Sequence, residues 1–140
     1  DHSYLTKLSE GQILSNLNQV DDTLQSIAGV RTVIVRPPGG YINDASKAAL
    51  AKRGTPAVLW SIDTLDWKTR NAQKTIDTVL SNVKDGDIIL MHDLYETSAD
   101  AAAVLIPELK NRGYQLVTVS ELASYRGGMQ PGHTYSRFRP

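Results

Sequence analysis

Four short apolar runs, at residues 30–35, 57–62, 87–92 and 115–119, alternate with stretches of helical periodicity. Their spacing, about 26–30 residues, is that of successive strand–helix units, which produce parallel strands in an α/β sheet or barrel. In such folds the chemistry collects at the C-terminal ends of the strands. The residues that follow each run therefore carry the functional reading. The third run is the most pointed: Gly86-Asp87-Ile88-Ile89-Leu90-Met91 reads as a buried strand, yet it ends in His92 and Asp93.

The intervening segments supply the helices. Leu8, Ile13, Leu17, Val20, Leu24 and Ile27 recur at helical spacing, so residues 8–28 are expected to be helical up to Gly29. Asn43 and Asp44 are suited to cap a helix through Lys52, with Gly54 as its stop. A helix over 72–83 would present Ile76, Val79, Leu80 and Val83 on one face. Ser98 reads as the cap of an alanine-rich helix to Arg112, with a kink expected at Pro107. Ser120 reads as the cap of a short helix to Tyr125. Residues 1–126 form the domain in this reading, and 127–140 an irregular C-terminal tail.

Composition narrows the function classes. The 140 residues suffice for one domain with a core. Fifteen basic residues balance fifteen acidic ones, which removes the electrostatic reason to expect nucleic acid or an anionic membrane surface as partner. No apolar run approaches the roughly 20 residues that span a bilayer. The chain lacks cysteine, so disulfides, thiolate metal sites and cysteine nucleophiles are excluded together.

Three of the four runs end in polar, titratable residues: Arg36 after the first, Asp63 and Asp66 after the second, His92 and Asp93 after the third. Each has a bland role available, as an edge ion pair, a turn or cap aspartate, or a rim histidine, and Trp60 and Trp67 have one as core residues. Their convergence on one strand edge favours function. His92 can change protonation near neutral pH and so donate a proton to a leaving group. Asp66 can hold that imidazole in one tautomer. Gly39 and Gly40 would let backbone amides approach a substrate, as an oxyanion site requires. Neither Ser3, Ser61 nor Ser98 stands in a Gly-x-Ser-x-Gly setting, so metal-bound water is the better nucleophile for hydrolysis of an acyl group.

These residues resemble the NodB-homology polysaccharide deacetylases, the fourth carbohydrate esterase family. Arg36-Pro37-Pro38-Gly39-Gly40 is similar to that family's third motif, Asp63-Thr64-Leu65-Asp66-Trp67 to its fourth, Asp-x-x-Asp-Trp, and Leu90-Met91-His92 to its fifth, Leu-x-His. The order and separation of the three agree. His2 is similar to the second histidine of the family's His-Ser/Thr-x-x-His motif.

The resemblance implies an α/β fold, a distorted (β/α) barrel incomplete at its N-terminal side. The first histidine and the Asp-Asp motif would precede Asp1, so the chain is expected to be a fragment or processed product completed by an N-terminal piece of the same domain. It also implies metal-dependent removal of acetyl groups from a polysaccharide: an N-acetylglucosamine-containing cell-wall polymer, a chitin-like chain or acetylxylan. The cofactor would be a divalent metal, zinc foremost, with His2 as a ligand. His92 would be the general acid, Asp66 would orient it, and Arg36 would tether a base aspartate. Gly39, Gly40, Tyr41, Asp63, Trp67 and Leu90 would bind substrate, with Trp67 and Leu90 lining a slot for the acetyl methyl. Gly39 stands where the family has an aromatic residue, and Tyr41 follows two positions on.

The implied location is the outside of a bacterium, secreted or held at the cell wall. The alternatives are a non-catalytic carbohydrate-binding relative or an inactive fragment, and a glycosidase using Asp63 and Asp66. The glycosidase is disfavoured because such carboxylates usually come from separate segments.

Overall fold

The computed structural model describes residues 2–140 as two compact units. One comprises the chain up to Leu59 together with Met129–Tyr135; the other comprises Trp60–Gly128 with Ser136–Pro140. The element order is α1 (Glu10–Ala28), α2 (Asp44–Arg53), β1 (Ala57–Val58), β2 (Ile62–Asp63), α3 (Asp66–Thr69), α4 (Ala72–Asn82), β3 (Ile89–Leu90), α5 (Glu96–Asn111), α6 (Val119–Ser124) and β4 (Thr134–Tyr135). All strand pairing between these β elements is parallel, as the alternation of strands and helices requires.

In the first unit, α1 begins two residues later than its periodicity suggests, because Ser9 and Gln12 form a reciprocal capping box. Asn43 caps α2 by accepting the Ser46 amide. Leu5, Ile13, Val35, Ala49, Leu50 and Ala57 make the core of this unit. The expected strand at 30–35 is reduced to a bridge between Val35 and Ala57, and Val30 and Val33 are exposed. β-branched residues favour extension, but a strand also needs a partner for its backbone groups. The stretch read as an irregular tail supplies β4, which pairs with β1 in the register Ala57↔Thr134.

In the second unit, β2 pairs with β3 in the register Ile62↔Ile89 and Asp63↔Leu90. The core joins Ile62 to the buried faces of α4 (Ile76, Val79) and α5 (Ala101, Leu105, Leu109). The helix α5 runs past Pro107 to Asn111 and starts two residues before Ser98. Of the fourth expected strand, 115–119, residues 115–118 belong to no strand and Val119 opens α6; Thr118, not Ser120, caps that helix. The last five residues pack here as well. The Phe138 amide donates to the Gly86 carbonyl at 2.7 Å, and a Cβ on Gly86 would lie 2.1 Å from the Phe138 oxygen, so this approach needs glycine. Arg139 completes the clasp with an ion pair to Asp87 at 3.0 Å.

Candidate active site

Parallel pairing of β2 with β3 brings the residues after both strands to one edge. Two contacts and one backbone conformation shape the turn there. Thr64 donates its hydroxyl to the Leu90 carbonyl at 2.7 Å, tying the two strand ends together. The Asp63 carboxylate accepts the Leu65 amide at 3.0 Å, an Asx-type turn. Leu65 itself sits in the left-handed region at φ 52°, a conformation that costs a branched residue energy and reverses the chain abruptly. The outcome is that Asp66, first residue of α3, points inward with its side chain 1% exposed, while Trp67 beside it is half exposed.

The buried carboxylate is fully engaged. Its Oδ2 accepts the His92 backbone amide and the Ser98 hydroxyl, each at 2.7 Å. Its Oδ1 lies 2.8 Å from His92 Nδ1. Burial pushes the Asp66 carboxyl up, but the hydrogen bonds from the His92 ring, the Ser98 hydroxyl and the His92 and Trp67 amides outweigh it, and the carboxyl stays below the usual carboxylate range. An ionised carboxylate can only accept, so Nδ1 carries the proton that faces it. The second ring nitrogen, Nε2, is then the atom that can pass a proton on. The imidazole is a quarter exposed, so it is open to a ligand.

Of the residues singled out in the sequence, Asp66 and His92 are brought into contact. Asp63 is exposed and serves the turn, and it is not the partner of the imidazole. Leu90 is buried in the same unit. Ser98, read from sequence as a helix cap, caps nothing: Tyr95 is the N-cap of α5 and makes no side-chain cap bond. A serine in the first turn of a helix has the same sequence signature whether its hydroxyl serves its own helix or a neighbouring loop.

Arg36, Gly39, Gly40, Tyr41 and His2 belong to the first unit. Arg36 is exposed directly after the Val35 bridge. Pro38–Gly40 forms a 3-10 turn in which the Gly40 amide donates to the Pro37 carbonyl and the Tyr41 amide to the Pro38 carbonyl. The Gly40 amide, expected to face substrate, is thus committed to the turn, because Pro37-Pro38 fixes the φ angles that close it. Gly39 lies at φ +63°, and a Cβ there would come within 2.9 Å of the Tyr41 ring and 3.1 Å of Tyr4. Tyr41 therefore occupies space that a side chain at position 39 would take, and its ring meets that of Tyr4 at 4.8 Å between centroids.

A metal is a different matter. His2 is exposed, and among the described residues no three His, Cys, Asp or Glu side chains stand close enough together to hold an ion. These residues alone do not fit a catalytic zinc, which takes three protein ligands.

The polysaccharide deacetylase family profile matches residues 1–58. The peptidoglycan-N-acetylmuramic acid deacetylase PdaC of Bacillus subtilis is 44% identical over 121 residues, 86% of this chain and 25% of that protein. The peptidoglycan-N-acetylglucosamine deacetylase PgdA of Listeria monocytogenes is 36% identical over 135 residues, 96% of this chain and 28% of that protein. The chain thus spans about a quarter of the length of these curated relatives. Among solved structures, a T48 deacetylase with substrate superposes with a TM-score of 0.89 and 38% identity, over 97% of this chain and 66% of that one.

Proposed function

The chain belongs to the polysaccharide deacetylase family, and from that premise we propose that it removes acetyl groups from a cell-wall polysaccharide, an N-acetylated glycan of the peptidoglycan type. One observation carries the reading. The buried Asp66 carboxylate holds the half-buried His92 ring by Nδ1, at the end of the two parallel strands.

In this reading, His92 works as a general acid. As imidazolium it donates the Nε2 proton to the sugar nitrogen as the carbon–nitrogen bond breaks. Asp66 stabilises the positive ring, as a buried carboxylate does beside a working imidazole. Asp63 and Trp67 would meet the substrate at the same edge, and Leu90 would back the slot for the acetyl methyl. In the first unit, Gly39 would supply a backbone amide to the developing oxyanion, Tyr41 would flank the sugar, and Arg36 would hold a carboxylate base. A divalent metal such as zinc would activate water, with His2 among its ligands. The described residues do not assemble that ligand set, and the roles assigned above do not depend on it. An action on cell wall places the protein outside the bacterial membrane, and no helix among the described residues is long and apolar enough to cross one.

The test is acetate release from peptidoglycan glycan, acetylated chitooligosaccharides and acetylxylan, with zinc added or chelated. Release from the N-acetylated glycans, abolished in His92→Ala, is the expected result. Glycan binding without acetate release under every metal condition would instead point to a carbohydrate-binding relative or an inactive fragment of such an enzyme.

A further inference from the structure

Ser98 belongs to none of the motifs above, yet it is 3% exposed and its hydroxyl reaches the one carboxylate that holds His92. We propose that Ser98 is a positioning residue of the acid pair: with the His92 amide it pins Oδ2 of Asp66, so that Oδ1 alone faces His92 Nδ1. The proposal rests on the deacetylase reading for its effect on rate, but not for its effect on the ring.

A carboxylate turns easily about its last torsion, which is broad and nearly two-fold. An Asp66 held by one contact could present either oxygen, or the edge between them, to the imidazole. Here two donors of equal length, 2.7 Å, converge on Oδ2 from different elements, the backbone after β3 and the first turn of α5. The carboxylate itself stands on α3. Three elements therefore fix its plane, and Oδ1 is left to the ring at 2.8 Å.

The chemistry of the donor matters as much as its place. Beside an ionised carboxylate a serine hydroxyl must donate. It steadies the anion without cancelling its charge, which a lysine or arginine at that position would do. The negative charge stays available to the imidazolium that forms when His92 takes up a proton.

Ser98→Ala and Ser98→Thr in the full chain test this, with kcat and KM for acetate release and the tautomer of the His92 ring read by nitrogen NMR. The wild type should show the Nδ1–H tautomer alone. Ser98→Ala should give a mixture and lower kcat about 10- to 100-fold, the usual scale for a group that orients a functional residue, with KM little changed. Ser98→Thr, which keeps the hydroxyl, should restore both. Should the alanine chain fail to fold, Ser98→Cys is near in size, is a weak donor, and should fall between. A single tautomer with full kcat in Ser98→Ala overturns the proposal, and so does a Ser98→Thr variant as slow as alanine with an unaltered ring. A wild type that releases no acetate would sink the deacetylase reading alone, because the ring spectra would still decide the role of Ser98.

Discussion

Asp21 and Asp66 are both buried, one in each unit, and they are used in opposite ways. Asp21, on α1, is 6% exposed; its Oδ1 accepts both the amide and the hydroxyl of Thr32, and its Oδ2 accepts the Arg53 guanidinium of α2. The Thr32 hydroxyl and amide lower its pKa, burial opposes them, and the Arg53 hydrogen bond and charge add to the fall, to about 2. Asp66 is as deeply buried and as fully hydrogen-bonded, but none of its four donors is a permanent cation. In the first case the countercharge is a permanent cation, the Arg53 guanidinium. In the second the charge is matched only when His92 is protonated. A carboxylate whose countercharge comes and goes can support a proton transfer, whereas one fixed to arginine supports a fold.

Asp66→Asn should break the comparison most sharply. The amide oxygen can still accept the two donors that meet Oδ2, so the fold should hold. Its NH2 group then faces His92 Nδ1 and must donate, which forces the proton onto Nε2 in the neutral ring and leaves an imidazolium without its anion. Acetate release should fall by about 10²–10⁴, the scale of a lost general acid, while a thermal melt stays cooperative. Activity within a few-fold of wild type would mean that the carboxylate charge is as static as that of Asp21. The counterpart is Arg53→Met, which leaves Asp21 buried with only its Thr32 donors. A lower melting temperature is expected, with an unchanged pH dependence of activity per folded molecule, by calorimetry and acetate assay.

The two sites were unequally legible. Asp66 and His92 stand in short motifs, Asp-x-x-Asp-Trp and Leu-x-His, because the turn that buries Asp66 needs fixed spacing between the Asx cap at Asp63 and the start of α3. The pair could therefore be read from the chain. Asp21 could not: Asp21-Asp22 in a helix looks solvated, and its partners at 32 and 53 follow no local pattern. Ser98 escaped for the reason already given. The runs at 30–35 and 115–119 have the β-branched composition of strands, but pairing is decided by partners distant in sequence, and only Val35 bridges to one. β4 was missed because two residues, Thr134 and Tyr135, are too few to show a period.

Acidity separates the sites by a different route. Asp21 has a folded pKa of about 2 against an ordinary 3.8, so its contribution to stability is present above the ordinary value and is lost as pH falls toward 2. Thr32→Val keeps the shape and deletes the hydroxyl that lowers this pKa most. The stability difference between variant and wild type should be full above about pH 5 and nearly vanish around pH 2, as measured by denaturant unfolding across that range. A difference that does not change with pH would show that Thr32 acts through packing and not through the Asp21 charge.

The smallest effect is expected next door to the buried Arg53–Asp21 ion pair of the first unit. Lys52 precedes Arg53 on α2 and also reaches α1, through Glu10 at 2.6 Å, so the two pairs join the same two helices. They differ in solvent: the Lys52 and Glu10 side chains are 63% and 43% exposed, those of Arg53 and Asp21 9% and 8%. Water and salt screen the outer pair, and holding two long side chains together uses up most of what remains, so Lys52→Ala should cost no more than about 0.5 kcal/mol. That cost should shrink further in high salt, while the effect of Arg53→Met should be nearly independent of it. Urea unfolding of both variants at low and high ionic strength is the measurement. If the two losses were equal, and equally salt-sensitive, then crossing charge between α1 and α2 would suffice to join them, and the burial and hydrogen bonding of Asp21 would have no special part in it.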